Sequence, residues 1–286
     1  MPMLRQVSVE QPIRRSLGAL AMFWLLATLG VGMLAGLGGC AGQQPGFSEG
    51  VPSELHTPYD DTDARKRART RLALATGYFE NGQTTVALDE MKKALQIDPT
   101  FGDAYNLGGL IYTTMNDLPL AQAHFEKALS LNPRDANAMH NMGWLKCQQG
   151  QYDVANTWFQ RAVAVPTYTE KAKTWLAQGI CEANSGQRGK AEQSLMRSYE
   201  LDPGNPVTGY NLSKLLYQSG DMQRAQFYIR RLNNSELANA ETLWLGIRVE
   251  RRLGNSQAMQ QLAAQLRRRF PQSKELLAYE RGAFND

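Results

Sequence analysis

The sequence has few of the side chains that form catalytic or metal sites. Its 286 residues include three histidines and three cysteines. No two of them stand at His-x-x-His or Cys-x-x-Cys spacing, and the sequence has no Walker-type phosphate loop. His56, His124 and His140 are well separated along the chain. We therefore predict that the protein is not an enzyme, holds no metal or cofactor and has no small-molecule substrate.

The sequence also lacks an excess of one charge. Residues 1–39 contain three basic and one acidic side chain, which leaves 28 basic and 26 acidic side chains in the rest. A nucleic-acid partner requires clustered basic excess, so we predict no binding to nucleic acid. After residue 39 no second apolar run is long enough to cross a membrane.

The N-terminal segment carries a targeting pattern. Arginines precede an uncharged run over residues 16–39, which is long enough to span a bilayer as a retained anchor. The run ends in Leu37-Gly38-Gly39-Cys40, which resembles the lipobox of bacterial lipoproteins. A basic start and a small-residue end are typical of a cleaved signal. We therefore predict a lipoprotein signal peptide over residues 1–39.

The lipobox resemblance implies that Cys40 is the first residue of the mature protein and carries a covalent lipid. Ala41 follows it, which by the same resemblance implies sorting to the outer membrane, with the protein on the periplasmic face. Several acyl chains suffice for stable anchoring. Residues 40–62 contain Pro45, Pro52 and Pro58 and are predicted to form a flexible tether.

Basic residues are concentrated just beyond the tether. They are Arg65, Lys66, Arg67, Arg69 and Arg71. Such a cluster could bind anionic lipid headgroups near the anchor. The alternative is a solvated helix face on which basic side chains pair with acidic ones.

A repeat with a period of about 34 residues dominates the remainder of the sequence. Asp98-Pro99 and Asn132-Pro133 stand one period apart, and Asp202-Pro203 follows slightly more than two periods later. Units that begin near residues 68, 102, 136, 172, 206 and 240 resemble the tetratricopeptide repeat. The second unit carries the pattern most clearly, in Tyr105, Gly109, Tyr112, Ala121, Phe125, Ala128 and Pro133. The resemblance implies an all-α superhelix over residues 63–286, with about six helix-turn-helix repeats and a capping helix over residues 274–284.

Two cysteines lie beside the one irregular interval of this repeat. The interval between the starts of the third and fourth units exceeds the others by two residues, and Cys147 and Cys181 occupy near-equivalent points of their first helices. Neighbouring repeats would bring them close in space, and the predicted compartment is oxidising. The pair is therefore either a disulfide or two buried thiols that fill core space.

The first helices of stacked repeats line a concave groove that suits a peptide. Mixed aromatic, amide and apolar side chains are predicted there: Asn106, Leu110, Thr113, His140, Trp144, Cys147, Leu176, Ile180, Tyr210, Lys214 and Tyr217. Ordinary packing between helices is the alternative for the aromatic members. A carboxylate clamp would use Asn106, Asn141 and Asn211 with Lys173 and Lys214.

Six tetratricopeptide repeats behind a lipid anchor resemble the type IV pilus biogenesis and stability lipoproteins, the pilotin family. Members of that family help an outer-membrane secretin subunit to reach the membrane and assemble. The resemblance implies that the partners are the secretin and other type IV pilus proteins. The alternative is a tetratricopeptide lipoprotein that gathers peptidoglycan hydrolases or outer-membrane assembly factors.

Overall fold

The computed structural model describes residues 61–284. The predicted signal peptide, Cys40 and nearly all of the predicted tether lie outside this range. Every regular element within it is an α-helix, and the bounds are α1 Asp63–Glu80, α2 Thr84–Ile97, α3 Gly102–Thr114, α4 Leu118–Leu131, α5 Ala136–Gln148, α6 Tyr152–Ala164, α7 Lys171–Asn184, α8 Arg188–Leu201, α9 Pro206–Ser219, α10 Met222–Asn233, α11 Ala240–Arg252, α12 Ser256–Arg269 and α13 Lys274–Glu280.

The helices form six packed pairs and a final single helix. Each odd-numbered helix from α1 to α11 packs against the even-numbered helix that follows it, and α13 packs against α11 and α12. This arrangement confirms the predicted all-α superhelix of six repeats with a C-terminal cap.

One backbone conformation recurs at the turn within each pair. The left-handed residues there are Gly82, Asn116, Gly150, Gly186, Gly220 and Gly254, with φ between 61° and 84°. Five of the six are glycine, which adopts this conformation without a steric penalty. Asn116 replaces glycine in the second turn because asparagine tolerates positive φ better than most residues. The turn residues therefore fix where each first helix ends.

Small residues bring the two helices of a pair close together. The fourth residue of five of the second helices is a fully buried alanine: Ala87, Ala121, Ala155, Ala191 and Ala225. Large side chains fill the space opposite small ones on the first helices: Phe125 lies against Gly109, Phe159 against Gly143 and Leu195 against Gly179. The close approach thus depends on glycine where a Cβ would meet an aromatic ring or a leucine.

The two additional residues of the third interval lie between α6 and α7. Tyr168 from this longer connection is buried and packs beside Ala136, Met139 and Ala162. Its hydroxyl lies 2.9 Å from Thr174 Oγ1 at the start of α7. The insertion therefore adds an aromatic side chain to the core.

The first helix starts at Asp63, the first residue of the predicted repeat domain, with Thr62 as a side-chain N-cap. The C-terminal boundary differs from the sequence prediction. The capping helix ends at Glu280 instead of reaching residue 284. Gly282, with φ of 69°, turns the chain back, and Phe284 packs against Trp244 with ring centroids 5.3 Å apart. Packing of the half-buried Phe284 ring against Trp244 thus takes the place of the last predicted helical turn.

A buried carboxylate joins the fifth and sixth repeats. Glu250 is 1% exposed, and Arg230 donates two hydrogen bonds to it, at 2.6 and 3.0 Å. Gln226 donates a third at 2.9 Å. This fork-to-carboxylate geometry is the stronger kind of ion pair.

Replacing Arg230 by Met should lower the free energy of unfolding by about 2 kcal/mol, because Glu250 then remains buried with fewer donors. Urea unfolding followed by circular dichroism measures the change. Arg224→Met on the same helix is the control. It removes ion pairs to Glu192 and Asp221 in which every partner is at least 33% exposed, and it should cost less than about 1 kcal/mol. Equal effects of the two substitutions would contradict the prediction.

Within residues 61–284 no helix is both long and apolar enough to cross a membrane.

Candidate peptide-binding groove

The odd-numbered helices form the inner layer of the superhelix. The backbone of each of them comes close to the backbone of the next odd-numbered helix, from α1 to α13. Within the described chain the even-numbered helices reach each other only through side chains, as where Arg224 of α10 pairs with Glu192 of α8. A stack that is close on one side and splayed on the other curves around the close side. The inner helices therefore line the concave face, as they do in other helical repeat proteins.

Most of the predicted groove residues lie on these helices and are partly exposed. Half-buried members are Asn106, Leu110, Thr113, Trp144, Leu176, Ile180, Tyr210 and Tyr217, and Lys214 is exposed. Five of them also pack against buried clusters: Leu110, Trp144, Leu176, Tyr210 and Tyr217. These five contribute to the packing between helices as well as to the inner face.

His140 is a correction to the predicted groove set. It is 7% exposed, its Nδ1 lies 2.9 Å from Thr174 Oγ1, and its ring lies beside Phe159 with centroids 5.9 Å apart. Burial, with a smaller effect from Lys173, lowers the pKa of His140 to about 3. The side chain is therefore a neutral core residue at the long connection. Cys147, which is 6% exposed, is likewise in the core.

Stability should fall in mild acid because of His140. In the unfolded chain its pKa is near 6.5, so the unfolded state binds a proton there that the folded state does not. Between about pH 7 and pH 5 this difference should remove about 2 kcal/mol from the free energy of unfolding. His140→Gln keeps a hydrogen-bonding group and does not titrate. Urea unfolding of both proteins at the two pH values measures the difference, and parallel pH profiles would contradict the prediction.

The asparagines of the predicted carboxylate clamp do not converge on one point. Asn141 Nδ2 donates to Asn106 Oδ1 at 2.9 Å, which ties α5 to α3. Asn211 Nδ2 donates to the Val207 carbonyl of its own helix at 2.8 Å. The Asn106 and Asn141 pair thus joins two repeats, and Asn211 lies farther along the groove on α9.

The C-terminal part of the inner layer contains a cavity of about 490 Å³. It lies between α9, α11 and α13. Three predicted residues line it: Tyr210, Lys214 and Tyr217. The prediction missed other lining residues: Gln218, Glu241, Trp244, Arg248, Lys274 and Glu275. The repeat could have identified two of these, because Trp244 and Arg248 stand one repeat period after Tyr210 and Lys214.

The charges of this cavity are unevenly distributed. Lys274 Nζ lies 3.9 Å from a Glu241 oxygen and 3.7 Å from a Glu275 oxygen. The Arg248 guanidinium carbon lies 4.8 Å from the centre of the Tyr217 ring. Burial raises the pKa of the Tyr210 hydroxyl, and Glu241 and Glu275 raise it further, so this group stays neutral near pH 7.

Cys147 and Cys181 form a disulfide in the structure. It joins α5 to α7 with Cα atoms 5.8 Å apart, across a sequence separation of 34 residues. The cysteines therefore link the third repeat to the fourth on either side of the longer connection.

Three arginines of the basic cluster bind carboxylates: Arg65 binds Asp98, Arg69 binds Asp61 and Arg71 binds Glu90. Arg65 also lies over the Phe101 ring at 4.6 Å. The hydrogen bond from Arg65 lowers the pKa of Asp98. These contacts favour the interpretation as a paired helix face over that of a lipid-binding patch.

Chemical groups for catalysis are sparse in the part of the chain that the structure describes. No group of three or more His, Cys, Asp or Glu residues is arranged there to hold a metal ion. The sequence does contain one Gly-x-Ser-x-Gly pattern, Gly46-Phe47-Ser48-Glu49-Gly50. It precedes the described residues. The groove is therefore the candidate functional site.

Comparison with known proteins agrees with this architecture. A family profile described as tetratricopeptide repeat matches residues 102–167. The solved structure of PilW, a widely conserved type IV pilus biogenesis factor, superposes with a TM-score of 0.69 at 30% identity, and covers 75% of this chain and 98% of PilW. The chain belongs to the tetratricopeptide-repeat family of PilW.

A second member of this family is similar over nearly its whole length. The type IV pilus assembly protein PilF of Pseudomonas aeruginosa is 25% identical over 82% of this chain and 94% of PilF. A solved structure of Pseudomonas aeruginosa PilF superposes with a TM-score of 0.67 at 26% identity, over 76% of this chain and 99% of that one. The likeness therefore extends over nearly the full length of these relatives.

Proposed function

We propose that the protein is a protein-binding scaffold in type IV pilus biogenesis that acts as a pilotin for an outer-membrane secretin. The observation that carries this proposal is the likeness to PilW over 98% of the chain in its solved structure. A shared repeat alone would support binding in general. Correspondence over 75% of this chain to a pilus biogenesis factor supports a shared task.

The proposed mechanism has two parts joined by the tether. A lipid on Cys40 holds the chain at the periplasmic face of the outer membrane, and the inner face of the repeats binds a segment of the secretin subunit. Anchoring and binding on one chain would bring the subunit to the membrane in which it assembles. Other type IV pilus proteins are further partners under this proposal, and no cofactor is required.

Crosslinking in intact cells, followed by purification of the protein, tests the partner. Recovery of the secretin subunit is expected, and deletion of the gene should remove assembled secretin and surface pili. Recovery of peptidoglycan hydrolases or outer-membrane assembly factors without secretin would overturn the proposal and favour the adaptor function.

A Cys40→Ser variant tests the anchor separately. It should leave the helical circular dichroism signal unchanged, because Cys40 precedes the first described helix, which starts at Asp63. Envelope fractionation should place the variant in the soluble periplasmic fraction and wild type in the outer-membrane fraction. Outer-membrane recovery of both proteins would contradict the lipid anchor and leave the partner proposal standing.

A further inference from the structure

The cavity between α9, α11 and α13 contains two cations without an anionic partner. Lys214 is exposed and has no hydrogen bond or ion pair with any residue from 61 to 284. Arg248 lies one repeat later at the equivalent position, and its Nε is buried without an acceptor. The nearby Glu241 and Glu275 instead lie within 4 Å of Lys274. Among residues 61–284, no carboxylate lies within 4 Å of the charged nitrogens of Lys214 or Arg248, although Glu241 and Glu275 line the same cavity.

A buried donor without an acceptor is unfavourable. Leaving such a group unpaired costs about 1 to 3 kcal/mol, and more when it is charged. The Tyr217 ring contacts the Arg248 guanidinium through a cation–π interaction. This contact does not supply an acceptor for the N–H groups that lie in the plane of the guanidinium. Nε itself is enclosed, so an anionic oxygen placed in the cavity would accept from the terminal nitrogens of the Arg248 guanidinium, which are not enclosed, and gain from Lys214 on the adjacent helix. Arginine binds a carboxylate through two parallel hydrogen bonds, so this group suits the geometry of the donor.

Aromatic side chains form the rest of the binding surface. Tyr210, Tyr217 and Trp244 line the cavity together, and the Trp244 ring is supported by Phe284 behind it. Such rings offer rigid apolar area with polar edges, which is typical of the residues that dominate binding at interfaces. An aromatic or aliphatic side chain next to the anionic group would therefore contact them.

The cavity also lies at the end of the groove. Helix α13 has seven residues, about half the length of α11, and it is the last inner helix of the described chain. A peptide laid along the inner face from the earlier repeats meets this cavity last. A single anchoring side chain there would fix the register of the whole segment.

We propose that this cavity binds an acidic side chain of an extended partner segment, with a neighbouring aromatic or aliphatic side chain against Tyr217 and Trp244. Lys214 and Arg248 bind the carboxylate. The inference rests on the proposed function as a protein-binding scaffold and names the chemistry that the partner must present at the last repeats.

Fluorescence anisotropy with the full chain in detergent micelles tests the inference. The probes are short labelled peptides, acetylated and amidated at their ends, in a Gly-Ser framework that carries Asp-Phe-Asp, Asn-Phe-Asn or Lys-Phe-Lys. The Asp-Phe-Asp peptide should bind at least about tenfold more tightly than either of the others, because a charge-assisted hydrogen bond is worth about 1.5 to 3 kcal/mol. Similar affinities for the three peptides, or no binding of any, would overturn the proposal.

Three variants locate the binding. Lys214→Gln and Arg248→Gln should each weaken the Asp-Phe-Asp complex about tenfold. Arg252→Gln, on the exposed face of α11 outside the cavity, is the matched control and should bind like wild type. Because Lys214 is exposed, its variant keeps the test valid if Arg248→Gln unfolds. Unchanged affinity of the Lys214→Gln variant would place the peptide elsewhere and end the inference.

The two proposals can fail independently. If wild type crosslinks to the secretin and the Lys214→Gln and Arg248→Gln proteins recover the same amount, the cavity inference fails and the proposed function stands. If wild type recovers no secretin while the Asp-Phe-Asp peptide binds as expected, the pilus function fails and the cavity remains an acidic-peptide site.

Discussion

Reduction of the Cys147–Cys181 disulfide should lower the free energy of unfolding by about 3 to 4 kcal/mol. The bond spans a sequence separation of 34 residues, and a crosslink across a loop of that length removes this much loop-closure entropy from the unfolded chain. In the folded state it joins α5 to α7 beside the irregular interval. Urea unfolding by circular dichroism, with and without a thiol reductant, measures the loss.

A Cys147→Ala and Cys181→Ala double variant is the control for effects of the reductant itself. Its unfolding midpoint should be the same with and without reductant. Thiol titration of the unreduced, denatured wild type gives an independent result: neither Cys147 nor Cys181 should react. Two free sulfhydryls in addition to any from Cys40 would contradict the disulfide.

Replacing Gly109 by Leu should cost about 3 kcal/mol, at the upper end of the range for an overfilled core. A Cβ added at Gly109 would lie 2.6 Å from Phe125 Cζ, closer than side chains approach in folded proteins. The Phe125 ring is 1% exposed, so moving it aside would expose apolar surface that is now buried. The two helices of the second repeat would therefore separate.

Alanine substitutions at two glycines provide the matched comparison. Gly77→Ala in α1 meets no atom within 4 Å and should stabilise the protein by about 0.5 to 1 kcal/mol through helix propensity. Gly109→Ala gains the same propensity but still meets Phe125, so its net effect should be destabilising. Urea unfolding of both variants checks the opposite signs. If Gly109→Ala were as stable as Gly77→Ala, the packing of α3 on α4 would be wrong.

The fold could be predicted because its signals are local and repeated. Asp98-Pro99 and Asn132-Pro133 end helices, and glycines at equivalent turns carry the positive φ that other residues avoid. A misjudged boundary in one unit is corrected by the same boundary in the others. The length of the last helix was overestimated, since packing of Phe284 against Trp244 is not a local signal.

The candidate site could be predicted only in part. Tyr210, Lys214 and Tyr217 line the cavity on the predicted face. The opposite wall includes Lys274 and Glu275 of α13, a helix that the sequence indicated as a cap and not as part of a groove. Such a wall exists only when α13 packs in the position of a further inner helix.

The burial of His140 is a second feature that the repeat did not predict. It stands one repeat period after Asn106 and one lengthened interval before Leu176, so the repeat assigns all three to one position of the inner face. Asn106 and Leu176 are half-buried there, but His140 is buried, because the longer connection inserts Tyr168 and brings Thr174 against the ring. Residues at equivalent positions of the repeat therefore differ in burial when the side chains around them differ.

The sequence by itself determined the repeat period, the helices and the proximity of Cys147 to Cys181, since each follows from short-range spacing. The tertiary structure alone decided that His140 lies in the core and that Arg248 has no acceptor beside an unpaired Lys214. Burial and charge balance are sums over side chains from several helices. They are therefore set only when the repeats have packed.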